Sequence, residues 1–290
     1  MRIANIDGRL VLAVGRGYID VAQASGGAFG SDPQAVYDQW DEFTLWAATL
    51  EVSGHPLIET SEQSVWGPPA PRPRQVFVIG LNYGDHAAEA NLDVPSTPTV
   101  FTKFPSSLTG DRCPVSLPEG SVDWEVELVA VIGRRCDFVS AADAWDHVAG
   151  LTVGQDLSER VLQMAGPAPQ FALGKSFRGF APLGPELVTL DEIPDRDDLE
   201  IGCSLEAGDV LQRGRTSDMV FSIPQLVAHL SVVCPLLPGD LIFTGTPTGV
   251  GAARNPPMFL KPGDVLISWV EGIGTLCNPM VASSAPRRSS

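Results

Sequence analysis

One segment, residues 123–133 with the sequence DWEVELVAVIG, limits the fold of this chain more than any other. Its Val, Leu, Ile and Ala residues are typical of a strand buried on both faces. Alternate side chains of a strand point the same way, so Glu125 and Glu127 should share a face roughly 6–7 Å apart. Two buried carboxylates destabilise a fold unless a cation neutralises them. The segment therefore indicates a β-rich fold with a charged site on a buried strand. Two ordinary acids at a solvated strand end are the alternative.

A third acid could complete a metal site with these two glutamates. Asp156 lies in GQDLSER and follows the strand-like residues LTV, so it falls where a strand ends. Three carboxylates are hard oxygen ligands, which suit Mg²⁺ or Mn²⁺ better than zinc. The sequence therefore predicts a Mg²⁺ site, with Mn²⁺ or Ca²⁺ as alternative ions. The competing interpretation of Asp156 is the N-cap of a short helix.

The charge balance excludes one class of partner. The 290 residues contain 19 Lys and Arg against 35 Asp and Glu, which gives a net charge of −16. Such an acidic chain repels phosphate backbones, so nucleic acid is not expected as a partner.

Membrane insertion and export are not expected either. The one long uncharged stretch, residues 221–239, contains three prolines, which argues against a spanning helix. The N-terminal sequence MRIANIDGRLVLAVGRG lacks the apolar core of a signal peptide. The five cysteines are widely spaced without zinc-ligand spacing, and they indicate reduced thiols. These features predict a cytoplasmic protein.

A proline-rich segment, residues 66–74, is the predicted boundary between two units, because proline stiffens a linker and offers few backbone donors. Residues 1–70 are expected to form a small N-terminal α/β module. Residues 71–283 are expected to form the main domain, and residues 284–290 a flexible tail.

The N-terminal module has clear local signals. Asp7-Gly8 predicts a two-residue hairpin turn. A helix is predicted to begin near Ser31, a candidate N-cap. One apolar stripe of this helix has spacings of four, three, four and three: Val36, Trp40, Phe43, Ala47 and Leu50.

Short strands dominate the main domain. VFVIG, TVFTK, WEVELVAVIG, LIFTGT and VLISWV carry the β-branched and aromatic bias of strands. Two helices are predicted, one over residues 141–149 and one that begins at Ser222 with Ile223, Leu226, Val227 and Leu230 on one face. The predicted fold class is therefore α+β and β-rich.

His86 and Glu89 form a candidate base in GLNYGDHAAE, directly after VFVIG. On one helical turn these side chains are three residues apart and can touch. A carboxylate beside an imidazole raises its basicity, so the pair could activate water. An exposed His/Glu pair on a loop helix is the alternative.

Two further segments could contribute to a site. Lys175 in G-K-S could pair with a substrate carboxylate or a developing oxyanion, and a surface lysine is the alternative. Residues 244–249, TGTPTG, offer hydroxyls and backbone N–H groups after the LIF strand. A plain surface turn is the alternative there.

Seven segments occur in a fixed order: GLNYGDHAAE, P-x-VFTK, DWEVELVAVIG, GQDLSERVLQ, GKSFRGFAPLGP, LLPGDLIFTGTPTGVG and KPGDVLISWVEGIG. Together they resemble the fumarylacetoacetate hydrolase family, which includes acylpyruvate hydrolases and 2-hydroxyhepta-2,4-diene-1,7-dioate isomerases. The resemblance implies a mixed β-roll domain, usually a homodimer, with a metal at its centre.

The resemblance also implies roles for individual residues. The metal ligands would be Glu125, Glu127 and Asp156, and the catalytic groups His86, Glu89 and Lys175, with the His/Glu pair on a mobile segment. The substrate contacts would be Tyr83, Arg160, Gln163 and Thr246. Arg178 and Val161 depart from the family's pattern, which often has Asp at both positions. Neither is a ligand position, but Arg178 could alter substrate selection.

The function expected from this resemblance is Mg²⁺-dependent hydrolysis of a C–C bond in an acylpyruvate-type 2,4-dioxo acid, through an enolate. Decarboxylation of oxaloacetate and keto–enol isomerisation are alternatives, because they need the same enolate and differ in where the proton goes. A non-catalytic metal-binding scaffold is the alternative of another class. In each enzymatic case the partner is a small 2-oxo acid.

Overall fold

Short strands supply most of the regular structure. The computed structural model describes residues 1–15, 17–89 and 93–283, and for residues 86–88 it describes the backbone alone. The strands are β1 (Arg2–Ile6), β2 (Arg9–Val14), β3 (Gly17–Asp20), β4 (Trp66–Gly67), β5 (Val76–Gly80), β6 (Thr99–Thr102), β7 (Leu108–Thr109), β8 (Val115–Leu117), β9 (Val122–Asp123), β10 (Val126–Ile132), β11 (Val148–Gln155), β12 (Ser158–Glu159), β13 (Ala181–Val188), β14 (Glu200–Leu205), β15 (Val210–Arg215), β16 (Leu241–Phe243), β17 (Val265–Val270) and β18 (Gly274–Ala282).

The helices are short and lie between these strands. The α-helices are α1 (Val21–Ala24), α2 (Trp40–Thr49), α3 (Gly84–Glu89), α4 (Arg160–Gln163), α5 (Phe171–Gly174) and α6 (Ile223–Val233). The 3₁₀ turns are Ala35–Gln39, Pro105–Ser107, Ala144–His147, Leu190–Glu192, Thr216–Asp218 and Gly251–Ala253. Within the described ranges, no helix is both long enough and apolar enough to cross a membrane.

The main sheet has β10 near its middle. Its order over the described residues is β3-β2-β1-β13-β11-β10-β16-β5-β6, with β4 on β1 and β7 on β13. Most neighbours are antiparallel, but β5 and β16 run parallel, as do β7 and β13. A second sheet has the order β15-β14-β17-β18-β8. The predicted β-rich fold with mixed sheets is confirmed.

Strand β10 is buried on both faces, as its composition predicts. Its even-numbered apolar residues, such as Leu128, pack into a core with the second sheet and α6. Its odd-numbered residues Val129 and Val131 pack into another core with α2 and β1. A strand between two cores is held by side chains on both faces, so its ends are fixed in position.

The first 70 residues extend the main sheet. Asp7 and Gly8 have positive φ values of 54° and 77° and close the β1–β2 hairpin, the conformation of the predicted turn. Strand β1 also pairs with β13, so this segment and the rest of the chain share one sheet. The predicted helix is present as a 3₁₀ turn followed by α2, with Val36, Trp40 and Phe43 buried. The domain boundary in residues 66–74 stays a prediction.

The two helices predicted in the main domain had different outcomes. Helix α6 begins after Ser222 with the capping box of Ser222 and Gln225, as predicted. The helix predicted over residues 141–149 is wrong. That segment forms only a 3₁₀ turn at Ala144–His147, and Val148 starts β11. Pairing of Val148 with Ile132 of β10 buries apolar surface that an isolated helix would leave exposed, and this overrides local helix preference.

A substitution in α2 measures how firmly the N-terminal segment is joined to the core. Phe43 is fully buried and contacts Phe29, Trp40 and Trp46 at ring-centroid distances of 5.4–5.7 Å. We expect Phe43→Ala to lower the free energy of unfolding by about 3–5 kcal/mol in urea titrations. Leu45→Ala on the same helix, where the side chain is 72% exposed, is the control and should cost under about 0.5 kcal/mol. Equal small losses would show that α2 is not part of the cooperative core.

Candidate metal centre

Three acidic side chains converge where β10 begins and β11 ends. Antiparallel pairing of Val126 with Gln155 brings Asp156, the residue after β11, beside the start of β10. The Asp156 N–H donates to the Glu125 carbonyl oxygen at 2.8 Å. Carboxylate oxygens of Glu125, Glu127 and Asp156 lie within 4.8 Å of one another, and all three residues are buried. The structure thus brings together the three acids predicted as ligands.

Glu125 does not lie in the strand, contrary to the prediction that both glutamates belong to it. Strand β10 starts at Val126, and the Glu125 N–H donates to the side-chain oxygen of Gln155 at 3.0 Å. Because its N–H bonds a side chain and not the backbone of a neighbouring strand, Glu125 lies outside the β-ladder. Its carboxylate is therefore not restricted to the strand spacing from Glu127 and can approach Asp156.

Three cationic side chains surround these acids. The Lys175 ammonium contacts Glu125 Oε2 at 2.7 Å and Asp156 Oδ2 at 2.5 Å. The Lys103 ammonium contacts Asp156 Oδ1 at 2.7 Å and donates to the backbone oxygen of Lys175. Arg160 contacts Glu125 Oε1 at 2.7 Å. Both lysines are almost completely buried, so each needs these partners to offset its desolvation.

The electrostatics differ among the charged groups. Burial and then the negative charges of Asp156 and Glu125 raise the pKa of Glu127 well above its usual range, although the Gly245 N–H and Lys175 oppose this. Burial lowers the pKa of Lys103, with the neighbouring Lys175 charge adding to it. Burial disfavours charged Lys175 too, but Asp156 and Glu125 outweigh it and raise its pKa. Glu127 is therefore the least compensated acid of the three.

The donor set fits a hard divalent cation. All three side chains offer carboxylate oxygens, which Mg²⁺ and Mn²⁺ prefer. Among the described residues, Lys103, Arg160 and Lys175 form ion pairs with Glu125 or Asp156, and none of them forms an ion pair with Glu127. A divalent cation there would keep Glu127 ionised by direct attraction.

Arg160 and Gln163, both predicted substrate contacts, lie together beside Glu125. Arg160 donates to Gln163 Oε1 at 2.9 Å and to Asp123 Oδ2 at 2.7 and 2.9 Å. The buried Asp123 carboxylate also accepts the backbone N–H groups of Gly251 and Ala252 at 2.7 and 2.9 Å. Asp123 therefore joins Arg160 to the loop after β16.

Tyr83 lies near Glu127, and Glu89 contacts the loop that follows β16. The Tyr83 hydroxyl is buried, and no described residue bonds to it. Its pKa is raised by burial and then by the negative charge of Glu127. Both Glu89 carboxylate oxygens lie 3.1 Å from the Gly249 N–H. Residues 86 and 89 share helix α3, but the His86 side chain lies outside the described residues, so its contact with Glu89 stays a prediction.

The loop after β16 supports the site through backbone and side-chain groups. The Gly245 N–H donates to Glu127 Oε2 at 2.7 Å. The Thr246 hydroxyl donates to the Val126 carbonyl oxygen at 2.8 Å and accepts a bond from Gln212. The predicted substrate contact of Thr246 stays untested, and the structure gives its hydroxyl a supporting role.

Comparison with known proteins identifies the family. The family model described as Fumarylacetoacetate (FAA) hydrolase C-terminal matches residues 75–281. The chain belongs to this family. The family and the fold type predicted from the seven segments are thus confirmed, and the chain is an enzyme of the fumarylacetoacetate hydrolase family.

Individual relatives support the same assignment. Oxaloacetate tautomerase FAHD2A, mitochondrial, from Homo sapiens is 45% identical over 243 residues, which are 83% of this chain and 77% of that protein. A crystal structure of a putative HpcE protein from Mycobacterium smegmatis has a TM-score of 0.93 and 52% identity, covering 98% of this chain and 100% of that one. Maleylpyruvate hydrolase from Sphingobium sp. SYK-6, in complex with manganese(II) and pyruvate, has a TM-score of 0.81 and 28% identity, covering 98% and 100%.

Two residues of the hydrolase-family site were not singled out from the sequence. Lys103 ends the segment VFTK, and Asp123 starts DWEVEL, but neither was given a role. No local sequence signal indicates Lys103, because its partner Asp156 lies 53 residues away. No sequence signal indicates that Asp123 binds Arg160, because the two lie 37 residues apart.

Loss of Lys103 should affect the metal-free protein most. Lys103 and Asp156 form an ion pair with both side chains fully buried. Removing one partner of such a pair costs about 3–5 kcal/mol, and we expect Lys103→Met to lower the unfolding free energy of metal-free protein by this amount. With saturating Mn²⁺ the loss should be smaller, because the ion attracts the same carboxylate. Lys261→Met, at an exposed lysine, is the control. Equal losses with and without Mn²⁺ would contradict this account.

Proposed function

We propose that this chain binds Mg²⁺ or Mn²⁺ through Glu125, Glu127 and Asp156 and forms the enolate of a small 2-oxo acid. The observation that carries the proposal is the convergence of three buried carboxylates within 4.8 Å beside buried Lys175. Such a group of acids has little structural value, since an apolar cluster of similar volume would be more stable. Its cost is explained by a function in binding a cation.

Keto–enol tautomerisation of oxaloacetate is the first candidate reaction. The human relative at 45% identity carries the name oxaloacetate tautomerase. Tautomerisation needs only the transfer of a proton between carbon and oxygen, so a site that stabilises the enolate and holds one proton carrier is sufficient.

Hydrolysis of an acylpyruvate is the second candidate reaction, and it was the first expectation from the sequence. The manganese–pyruvate complex of maleylpyruvate hydrolase favours it, as does the H-x-x-E pair of His86 and Glu89. Hydrolysis needs an activated water in addition to the enolate, so His86 and Glu89 of α3 would have to activate that water. Decarboxylation of oxaloacetate is the third reaction that the same enolate permits.

A divalent cation bound to these carboxylates would withdraw electrons from the 2-oxo group and make the neighbouring C–H more acidic. The protein's own groups do the rest. Lys175 has a raised pKa, stays positively charged and stabilises negative charge on the substrate oxygen. The buried Tyr83 hydroxyl, which no described residue bonds, is a donor for the same end of the substrate. Arg160, with 17% of its side chain exposed, and Gln163 are assigned to a more distant substrate oxygen.

His86 is proposed as the group that moves the proton. Its helix α3 follows β5, the strand next to β16, and Glu89 of this helix reaches the Gly249 N–H in the loop after β16. This contact fixes the end of α3 against the loop that also holds Glu127. We propose that His86 accepts the proton from carbon in tautomerisation, or from water in hydrolysis, with Glu89 as its partner.

The remaining properties are part of the same proposal. We propose a homodimer located in the cytoplasm, in agreement with five free thiols, whereas the name of the human relative places that protein in mitochondria. Gel filtration with light scattering tests the dimer, and cell fractionation tests the location. The non-catalytic scaffold would be favoured if Mn²⁺ binds but no 2-oxo acid is converted.

Loss of Glu127 should remove both the metal and the activity. We expect Glu127→Gln to abolish Mn²⁺ binding in titration calorimetry and to lower kcat/KM by about a thousandfold or more, since several kcal/mol of charge stabilisation are lost. Asp240→Asn is the control, because Asp240 is also fully buried but bonds Gln75 and Leu237 at the other end of β16. An active Glu127→Gln enzyme that still depends on Mn²⁺ would exclude the proposed site.

A substrate panel with a His86 variant separates the candidate reactions. Oxaloacetate and a set of acylpyruvates would be supplied with Mg²⁺ or Mn²⁺, following enol absorbance and pyruvate release separately. We expect wild-type protein to accelerate enol–keto exchange of oxaloacetate. His86→Ala should lower tautomerisation and hydrolysis by roughly 10²–10⁴-fold, the usual contribution of a general base. It should spare decarboxylation, which forms the enolate by loss of CO2 and needs neither an activated water nor the removal of a proton from carbon. Equal loss of decarboxylation would contradict this division of roles, and rapid pyruvate release from acylpyruvates would make hydrolysis the main activity.

A further inference from the structure

The residue between the two glutamates, Val126, pairs with Gln155 of β11 on one side, but among the described residues no strand pairs with it on the other side. Strand β16 pairs with β10 at Val129, Ala130 and Val131 and ends at Phe243. Val126 therefore lies beyond the end of β16, although its backbone is buried. Buried N–H and C=O groups must find other partners, because an unpaired one costs about 1–3 kcal/mol.

Two side chains replace the missing strand at Val126. The Val126 N–H donates to Gln212 Oε1 at 3.0 Å, and its carbonyl oxygen accepts from Thr246 Oγ1 at 2.8 Å. Gln212 Nε2 donates to Thr246 Oγ1 at 2.8 Å. Val126, Gln212 and Thr246 thus form a closed ring of three hydrogen bonds. The ring holds both peptide groups of Val126, the one to Glu125 and the one to Glu127.

The Gln212 amide has no spare bonding capacity. Its oxygen also accepts from the Cys203 thiol at 3.3 Å, and its nitrogen also donates to the Pro247 carbonyl oxygen at 2.7 Å. Two bonds to the oxygen and two from the nitrogen saturate a carboxamide and determine which way it faces. Gln212 is 1% exposed, so this orientation is enforced by packing as well.

We propose that Gln212 is a positioning residue for the metal site. It belongs to β15 of the second sheet and reaches across to the first residue of β10 in the main sheet. Because Val126 is bonded in sequence to both Glu125 and Glu127, the angle of its peptide units determines how the two carboxylates approach each other. Gln212 thus links the second sheet to the backbone that carries Glu125 and Glu127, so the position of that sheet affects where the two carboxylates lie. This inference rests on the proposed metal site, and it adds to that site a residue that touches neither metal nor substrate.

The test is the Mn²⁺ dissociation constant of Gln212→Met, measured by titration calorimetry. Groups that orient metal ligands typically contribute 10–100-fold in affinity, and we expect a loss in that range. Gln75→Met is the matched control, because the Gln75 amide also bonds twice, to Pro235 and Asp240, far from the acids. Gln75→Met should bind Mn²⁺ within about twofold of wild type even if its melting temperature falls.

A second measurement uses metal-free protein. The peptide that contains Val126 should exchange its amide hydrogens faster in Gln212→Met than in wild type, because the Val126 N–H has lost its acceptor. If Gln212→Met does not fold, the pair Thr246→Val and Thr246→Ser replaces it. The valine variant should weaken Mn²⁺ binding and the serine variant, which keeps the hydroxyl, should restore it.

The outcomes are distinguishable. Unchanged Mn²⁺ affinity in Gln212→Met overturns the positioning role and leaves the metal site standing. Equal weakening in Gln212→Met and Gln75→Met also overturns it, since the loss would then be general destabilisation. If wild-type protein binds no Mn²⁺, the metal site and this inference fall together.

Discussion

The repulsion among three buried carboxylates is the constraint on which the rest of this structure depends. Glu125, Glu127 and Asp156 lie within 4.8 Å of one another, in a region where charges interact more strongly than in water. Lys103 follows β6, Arg160 starts α4 and Lys175 follows α5, so the compensating cations come from three separate parts of the chain. The segments that follow β6 and β11 therefore carry the charged groups that offset this repulsion.

The strands place the acids at the edge of the main sheet, where β10 begins and β11 ends and loops follow. Burial on both faces makes β10 rigid, and its pairing with β11 fixes Asp156 relative to Glu125. Beyond β16, side chains and glycine N–H groups satisfy the backbone and the carboxylates. A regular strand partner would leave no room for a ligand at this edge, so the early end of β16 is a condition for the site. Ligand sites at strand ends have the same physical origin in many folds.

Much of this could be predicted from local sequence. Asp7-Gly8, the capping box at Ser222 and the apolar strands each depend on neighbours within a few residues, and the structure has all of them. The helix predicted over residues 141–149 failed because pairing of Val148 with Ile132 is a tertiary interaction. Lys103 was missed for the same reason, since its partner Asp156 lies 53 residues away. The three acids could be predicted because carboxylates are costly to bury. Gln212 could not, because a glutamine in a strand sequence gives no sign of the backbone group that it bonds.

The two buried lysines have a consequence for the order of folding and metal binding. Lys103 and Lys175 supply positive charge to Glu125 and Asp156 from within the chain, so they offset part of the repulsion among the acids without a metal. Proteins whose sites consist of uncompensated ligands are unfolded until their metal arrives. Because this chain carries its own compensating cations, we expect it to fold before an ion binds. If so, the supply of metal would set how much of the protein carries an ion and would not set how much of it is folded.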